Sequence, residues 1–273
     1  MGYGLRGSRA LVTGASSGIG AGFAEAFARA GSTVGMCARR ADRLGEVADR
    51  CRAHGATVHQ WITDVADPGQ VDELARAAVD EMGGVDVLVN NAGIPKRRHV
   101  TATDAATVER VTQINYLAPI RLTLSLLPQM LERGSGRIIN VSSVAATLSS
   151  PGETAYAASK AALSVFSECM SVDLWGSGVK VLVVYPGIVD TELFSIPDND
   201  PLDVPVDPIT VEECVSSVLE ALDQDALEVY TPAYFKDLAV GKANDIPGFL
   251  AGTAEFVRQQ RSERSRAGYP GSP

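Results

Sequence analysis

The stretch Ala10-Leu11-Val12-Thr13-Gly14-Ala15-Ser16-Ser17-Gly18-Ile19-Gly20 decides the fold. It opens on a short apolar run of strand type and leads into a helical pattern from about Ile19 to Arg29. Glycines at such a junction allow a tight turn and let a pyrophosphate approach the backbone. The helix N-terminus adds free N–H groups and the positive end of its dipole. In dinucleotide folds the first strand–helix turn is where phosphate is held.

Outward from this turn the same alternation repeats. Strand-type runs at Thr33–Ala38, Thr57–Ile62, Val85–Val89, Arg137–Val141, Val179–Tyr185 and Leu227–Thr231 are separated by amphipathic stretches. The clearest helices are Ala41–His54, Pro68–Met82 and Thr154–Trp175, and Thr210-Val211-Glu212-Glu213 has the capping-box form of a helix reaching about Leu222. Alternation of this kind predicts an α/β protein: one Rossmann-type, doubly wound parallel sheet of about seven strands with helices on both faces. We read one domain over residues 1–273, with a core of about 6–231, a lid at about 190–209, a C-terminal extension over 232–257 and a mobile tail over 258–273. The lid reading rests on four Asp and four Pro between Ser195 and Pro208. The tail reading rests on Arg258, Arg261, Arg264 and Arg266 followed by Gly and Pro, a composition that is usually solvated.

Composition removes other classes. The chain has 273 residues and a net charge of −9, which does not suit general nucleic-acid binding or an anionic membrane surface. Cys37, Cys51, Cys169 and Cys214 are far apart, and His54, His59 and His99 are scattered, so neither a disulfide framework nor a metal site is expected. Met1 to Arg9 has no apolar signal-peptide core and no apolar run spans a bilayer, so a soluble, cytoplasmic protein is expected.

The end of the second strand bears on the cofactor. An acid there would bind a free ribose 2′-hydroxyl; an arginine accommodates a 2′-phosphate. The strand ends Met36-Cys37-Ala38 and is followed by Arg39 and Arg40, which favours NADP(H) while leaving NAD(H) open. Asp42 belongs with the first turn of the next helix. Tyr156 and Lys160 are four apart in a helical stretch and share one face. A cation beside a phenol favours the phenolate, so the pair is a candidate acid/base for exchanging a proton with an alcohol or carbonyl oxygen.

Taken together, these segments resemble the short-chain dehydrogenase/reductase family. Thr13-Gly14-(x)3-Gly18-Ile19-Gly20 looks like its cofactor motif, and Asn90-Asn91-Ala92-Gly93 like its NNAG segment. Asn115, Ser143 thirteen residues before Tyr156, and Pro186-Gly187-Ile188-Val189-Asp190-Thr191 fall in the family's order, and the likeness runs from about Arg6 to Thr231. The resemblance implies a carbonyl/secondary-alcohol oxidoreductase without a metal. Tyr156 would be the acid/base and Ser143 would bind the substrate oxygen. Lys160 would hold the nicotinamide ribose, and Asn115 a water relaying protons to Lys160. The implied cofactor set is Gly14, Ser16, Ser17, Gly18, Ile19, Gly20, Arg39, Arg40, Asp64, Val65, Asn91, Ala92, Gly93, Tyr156, Lys160, Pro186, Gly187, Val189 and Thr191. Ser17 stands where many NADP-using relatives carry a basic residue, so Arg39, with Arg40 and the Ser16 and Ser17 hydroxyls, is expected to meet the phosphate. Ser142 is expected to point to the opposite side from Ser143.

Specificity in this fold comes from loops beyond the strand ends. Ile94–Val100, Val144–Thr154 and Asp190–Pro208 are the candidates, with Leu193, Phe194 and Ile196 as an apolar lid underside. The middle loop suits an uncharged carbonyl or alcohol. Lys96-Arg97-Arg98-His99 reads as a solvated rim or, alternatively, as docking for an acyl carrier. A 3-oxoacyl-thioester reductase and a non-catalytic dinucleotide-binding redox sensor are therefore the competing readings. The resemblance also implies a homo-oligomer, a dimer or homotetramer, through the helices Thr107–Leu131 and Thr154–Trp175. Leu117, Leu124, Leu163 and Val172 serve that interface or the sheet face, and Tyr234–Val257 covers the active site or a neighbouring subunit; both choices stay open.

Overall fold

The structure, a computed structural model, describes residues 4–196, 198–200 and 206–266. Seven parallel strands form one sheet in the order β3-β2-β1-β4-β5-β6-β7: β1 Arg9–Thr13, β2 Thr33–Ala38, β3 Val58–Ile62, β4 Val87–Asn90, β5 Gly136–Val141, β6 Val179–Pro186 and β7 Glu228–Thr231. The chain runs outward from β1 to β3, then reverses through β4, so β1 and β4 lie side by side with their following loops diverging. Such a switch point opens a crevice beyond the carboxyl ends of the strands.

Both faces of the sheet are buried, and the strand period of two divides the apolar residues between them. Ala10 and Val12 face one core with Phe23 and Phe27 of α1 (Gly18–Arg29), Leu44 and Val47 of α2 (Ala41–Ala53) and Val215 and Val218 of α8 (Val211–Asp223). Leu11, between them, faces the other core with Leu74 of α3 (Pro68–Met82), Leu122 and Leu126 of α5 (Ala118–Arg133) and Met170 of α7 (Thr154–Asp173). The capping box forms as read: Thr210 accepts from Glu213 N, and the Glu213 carboxylate accepts from Thr210 N.

Three elements differ from their sequence reading. The helix expected over Thr107–Leu131 is divided: α4 (Ala105–Thr112) passes through a π turn at Gln113–Leu117 into α5. The substrate-side loop contains a short helix, α6 (Ala145–Leu148). The C-terminal region is helical. After α9 (Phe235–Asn244), α10 runs from Ile246 to Arg266, so the tail expected to be mobile from residue 258 continues a helix; residues 267–273 lie outside the described ones. Its apolar residues sit at helical spacing on the cavity side, which tertiary packing rewards despite the Gly, Pro and Arg content.

Between β4 and β5 lies a buried polar ladder. Asn90 Nδ2 donates to Asn140 Oδ1 (2.8 Å) and Thr123 Oγ1 (2.9 Å), and Asn140 Nδ2 donates to Ser167 Oγ (2.8 Å). Asn140→Ala leaves buried groups without these bonds. It is expected to lower unfolding stability by about 2–3 kcal/mol, read as a lower urea midpoint at unchanged slope.

Candidate active site

A cavity of about 580 Å³ fills the crevice at the carboxyl ends of the strands. Its floor begins with the glycine-rich turn. Gly14 has φ +67°, and a Cβ there would lie 2.8 Å from Ala92 Cα. A Cβ on Gly20 would strike Gly14 O and come within 2.5 Å of Asn91 Nδ2. Gly14, Ser16, Ser17, Gly18 and Ile19 line the cavity. Gly20 packs beneath the turn, against Gly14 O and the Asn91 amide. Ser17 is the N-cap of α1, and its side chain makes no capping bond, which leaves the first helical N–H groups for an anion.

The NNAG segment is held onto this turn by Thr13. Its hydroxyl donates to Val89 O (3.2 Å) and accepts from Asn91 N and Ala92 N (both 3.0 Å). Asn91 Nδ2 returns a bond to Thr13 O (3.0 Å). Asn91, Ala92, Gly93, Asp64, Val65, Pro186, Gly187, Val189 and Thr191 all line the cavity, and so do Cys37 of β2 and Thr63 just after β3, neither of which the sequence reading singled out.

Arg39 and Arg40 both reach the cavity, but they are placed differently. Arg40, not Arg39, is built into the turn: its guanidinium donates to Ser17 Oγ (2.6 Å) and Ser16 Oγ (3.1 Å) and pairs with Glu192 (2.9 Å). Glu192 also pairs with Arg43, and these partners hold its carboxyl below the ordinary glutamate range.

At the inner end of the cavity Ser143, Tyr156 and Lys160 converge. Ser143 follows β5, and its side chain favours the ionised form of the Tyr156 phenol. Ser142, its neighbour, points the other way, donating to Lys160 O (3.0 Å), as the strand alternation predicts. Lys160 Nζ donates to Val141 O (2.7 Å) and lies 6.0 Å from the Tyr156 ring centroid. Burial lowers the Lys160 ammonium to about 8. Burial raises the Tyr156 phenol above its ordinary value; Glu153 adds to the rise, and Ser143 and Arg97 oppose it.

Asn115 is fully buried and lies under the cavity wall rather than on it. The π turn places its Oδ1 to accept from Ile94 N (2.8 Å), while its Nδ2 donates to Ile94 O (3.0 Å) and Ser159 Oγ (3.2 Å). A Cβ on Gly93 would stand 3.2 Å from Asn115 Oδ1 and 3.4 Å from Lys160 Nζ, so glycine keeps a gap between the two.

The outer chamber is built by the three expected loops together with α9 and α10. Leu148, Leu193, Ile196 and Val206 line it with Phe235 of α9 and Phe249, Thr253 and Val257 of α10. The last three follow a four-residue helical spacing, so this segment lines the cavity of its own chain. The Phe194 side chain and residues 201–205 of the lid lie outside the described atoms.

The basic run is neither a solvated rim nor a free docking patch. Lys96 Nζ pairs with Asp198 Oδ2 (2.7 Å), Arg98 pairs with the same carboxylate, and buried Arg97 donates from Nε to Asp200 O (3.0 Å). Arg97 N–H also donates to Asn199 Oδ1 (2.7 Å), and Arg98 N–H to Gly152 O (2.6 Å). The run thus clasps the acidic lid to the substrate loops. Among the described residues no His, Cys, Asp or Glu group is placed to hold a metal ion, and no helix is long and apolar enough to cross a membrane.

Comparison with known proteins places this arrangement. The short chain dehydrogenase family profile matches residues 8–200, and the chain belongs to that family. A short chain dehydrogenase from Pseudocercospora fijiensis is 41% identical over 71% of this chain and 63% of its own length. A fatty acyl-CoA reductase from Mycobacterium tuberculosis is 41% identical over 70% of this chain and 66% of its own. The match thus spans less than two thirds of either relative. Among solved structures, a short-chain dehydrogenase from Sphingobium yanoikuyae in complex with NADPH superposes with a TM-score of 0.78 at 30% identity, covering 88% of this chain and 94% of that one. One from Burkholderia phymatum in complex with NAD gives 0.82 at 26% identity, covering 89% and 95%.

Lys160 carries a stability signature. Below about pH 8 it is charged in both folded and unfolded chains, and the cost of burying the charge is fully present. Between about 8 and 10 the unfolded chain binds more protons, so wild-type stability rises with pH through that window. Lys160→Met should therefore be more stable than wild type at pH 7, on the order of 2–3 kcal/mol, with the gap closing towards pH 10 in urea titrations.

Proposed function

We propose that this protein is an NADP(H)-dependent oxidoreductase that interconverts a carbonyl and a secondary alcohol, with Tyr156 as acid/base. The observation that carries this reading is the meeting of Ser143, Tyr156 and Lys160 where the phosphate-turn groove joins an apolar chamber. The groove fits a nicotinamide dinucleotide on its own chemistry. Gly14 and Gly18 keep the turn tight against Ala92 and Thr191 and leave its backbone bare of side chains towards the cavity, the α1 N-terminus offers unpaired N–H donors, and no acid ends β2. Such a cofactor, when bound, supplies or accepts the hydride.

The chain's own residues do the rest. Ser143 donates to the substrate oxygen and stabilises charge developing there. Tyr156, held protonated by burial, gives its proton to that oxygen during reduction. Lys160, near neutrality in its pocket, is suited to pass a replacement proton, and Asn115 with Gly93 keeps the space behind it. Arg40 with Ser16 and Ser17 forms the cationic, hydroxyl-lined end expected to take a 2′-phosphate; Arg39 stands beside them. The C-terminal helix supports an extended apolar substrate, and the acyl-CoA reductase relative makes a long-chain carbonyl compound the first class to test. The pairing of Lys96 and Arg98 with Asp198 weighs against carrier docking on those cations, and the intact Ser143–Tyr156–Lys160 set weighs against a redox sensor. We also read the exposed face carrying Leu117 (46%), Leu124 (54%) and Val172 (72%) as a homo-oligomer surface, whereas Leu163 is committed to the interior.

Two variants test the reading. Tyr156→Phe should lose at least about a hundredfold in kcat with NADPH affinity kept, measured by NADPH oxidation and by fluorescence titration. Arg40→Ala should weaken NADPH binding about tenfold or more while changing NADH binding little. Equal loss for both dinucleotides would contradict the phosphate assignment.

A further inference from the structure

Glu153 is a buried carboxylic acid that the reaction scheme leaves unused. It is the N-cap residue of α7, three positions ahead of Tyr156, and its carbonyl accepts from Ala157 N (2.7 Å) to begin the helix. It is 9% exposed, as is Tyr156, and both side chains line the same cavity. A buried ionisable group is costly unless a partner is present. A partner lines the same cavity: Arg97, 4% exposed, is held by Asn199 and Asp200 and acts electrostatically on Glu153. Burial raises the Glu153 carboxyl above the ordinary glutamate value, and Arg97 and the Ser150 side chain oppose the rise. Of the charged groups in the cavity, Glu153 and Arg97 act on the Tyr156 phenol; Lys160, His99, Asp200, Asp64, Arg39, Arg40 and Glu192 also line the cavity.

We propose that Glu153, with Arg97 as its counter-charge, is a positioning residue that holds the proton on Tyr156 and so favours carbonyl reduction over alcohol oxidation at neutral pH. The inference rests on the acid/base role assigned to Tyr156 above. In reduction the Tyr156 O–H bond breaks, the substrate oxygen gains that proton, and the carbonyl carbon gains the hydride of the reduced dinucleotide. Alcohol oxidation runs these transfers backwards and needs the phenolate at the start. A carboxylate nearby opposes that phenolate; a guanidinium favours it. Glu153 and Arg97 thus act on one proton in opposite senses, and the pH at which oxidation sets in is the quantity they tune.

The test titrates Tyr156 directly. Protein carrying tyrosine labelled with ¹³C at Cζ is followed by NMR against pH with NADP⁺ present, and the Tyr156 resonance is identified by its loss in Tyr156→Phe. Glu153→Gln should move the midpoint down by about one pH unit and Arg97→Gln should move it up, while Arg97→Lys, which keeps the charge, should restore it. The pH onset of 2-octanol oxidation by NADP⁺ should move in the same directions. An unmoved midpoint in Glu153→Gln, or shifts of one sign in both charge-removing variants, would overturn the assignment. A correctly signed NMR shift in protein that turns over no alcohol or carbonyl would sustain the electrostatic assignment and overturn the reaction assigned to the site.

Discussion

One hydroxyl joins the two halves of the sheet at the point where the chain reverses direction. Thr13 Oγ1 bonds Val89 O on one side and the N–H groups of Asn91 and Ala92 on the other. Its carbonyl receives Asn91 Nδ2. The glycine-rich turn and the NNAG segment can approach this closely only because Gly14 and Gly20 carry no side chain. A Cβ at either would meet backbone or the Asn91 amide. Everything around the cavity inherits its position from this junction: the free helix N-terminus on one side, and Gly93 with the Asn115–Lys160 gap on the other.

The far side of the cavity is governed by different forces. The inner walls are strand ends fixed by the sheet ladder, but the chamber roof is assembled from segments distant in sequence and tied by charge. Lys96 and Arg98 hold Asp198, Arg97 holds Asp200, and Lys242 of α9 donates to Thr147 O (2.6 Å) and Ser149 Oγ (2.7 Å) of the α6 region. Exposed ion pairs are individually weak and are screened by salt. Ties of this kind hold the roof less firmly than burial and the sheet ladder hold the core beneath it.

The parts readable from sequence were those governed by local rules. Strand runs, the capping box at Thr210, Pro68 at the start of α3 and the order of the motifs depend on period, turn chemistry and propensity. What was not readable depended on partners far along the chain. The arginine that contacts Ser16 and Ser17 is Arg40, and adjacent identical residues give no cue to which of the two does so. The Lys96–Arg98 run looked solvated because its carboxylate, Asp198, is about a hundred residues away (|i−j| 102 and 100). The helix α10 was read only as an extension and a tail because polar residues dominate its composition, while its stripe of Phe249, Thr253 and Val257 acquires meaning only against the cavity. Glu153 was passed over as a loop residue; burial beside Tyr156 is a property of the tertiary structure.

The most direct measurement is the consumption of NADPH, followed by its absorbance, over ketones and aldehydes graded in chain length, with NADH run in parallel. The arrangement of phosphate turn, Ser143–Tyr156–Lys160 and apolar chamber predicts turnover that strengthens as the chain lengthens and is faster with NADPH. Tight dinucleotide binding with no carbonyl reduced at any chain length would contradict it.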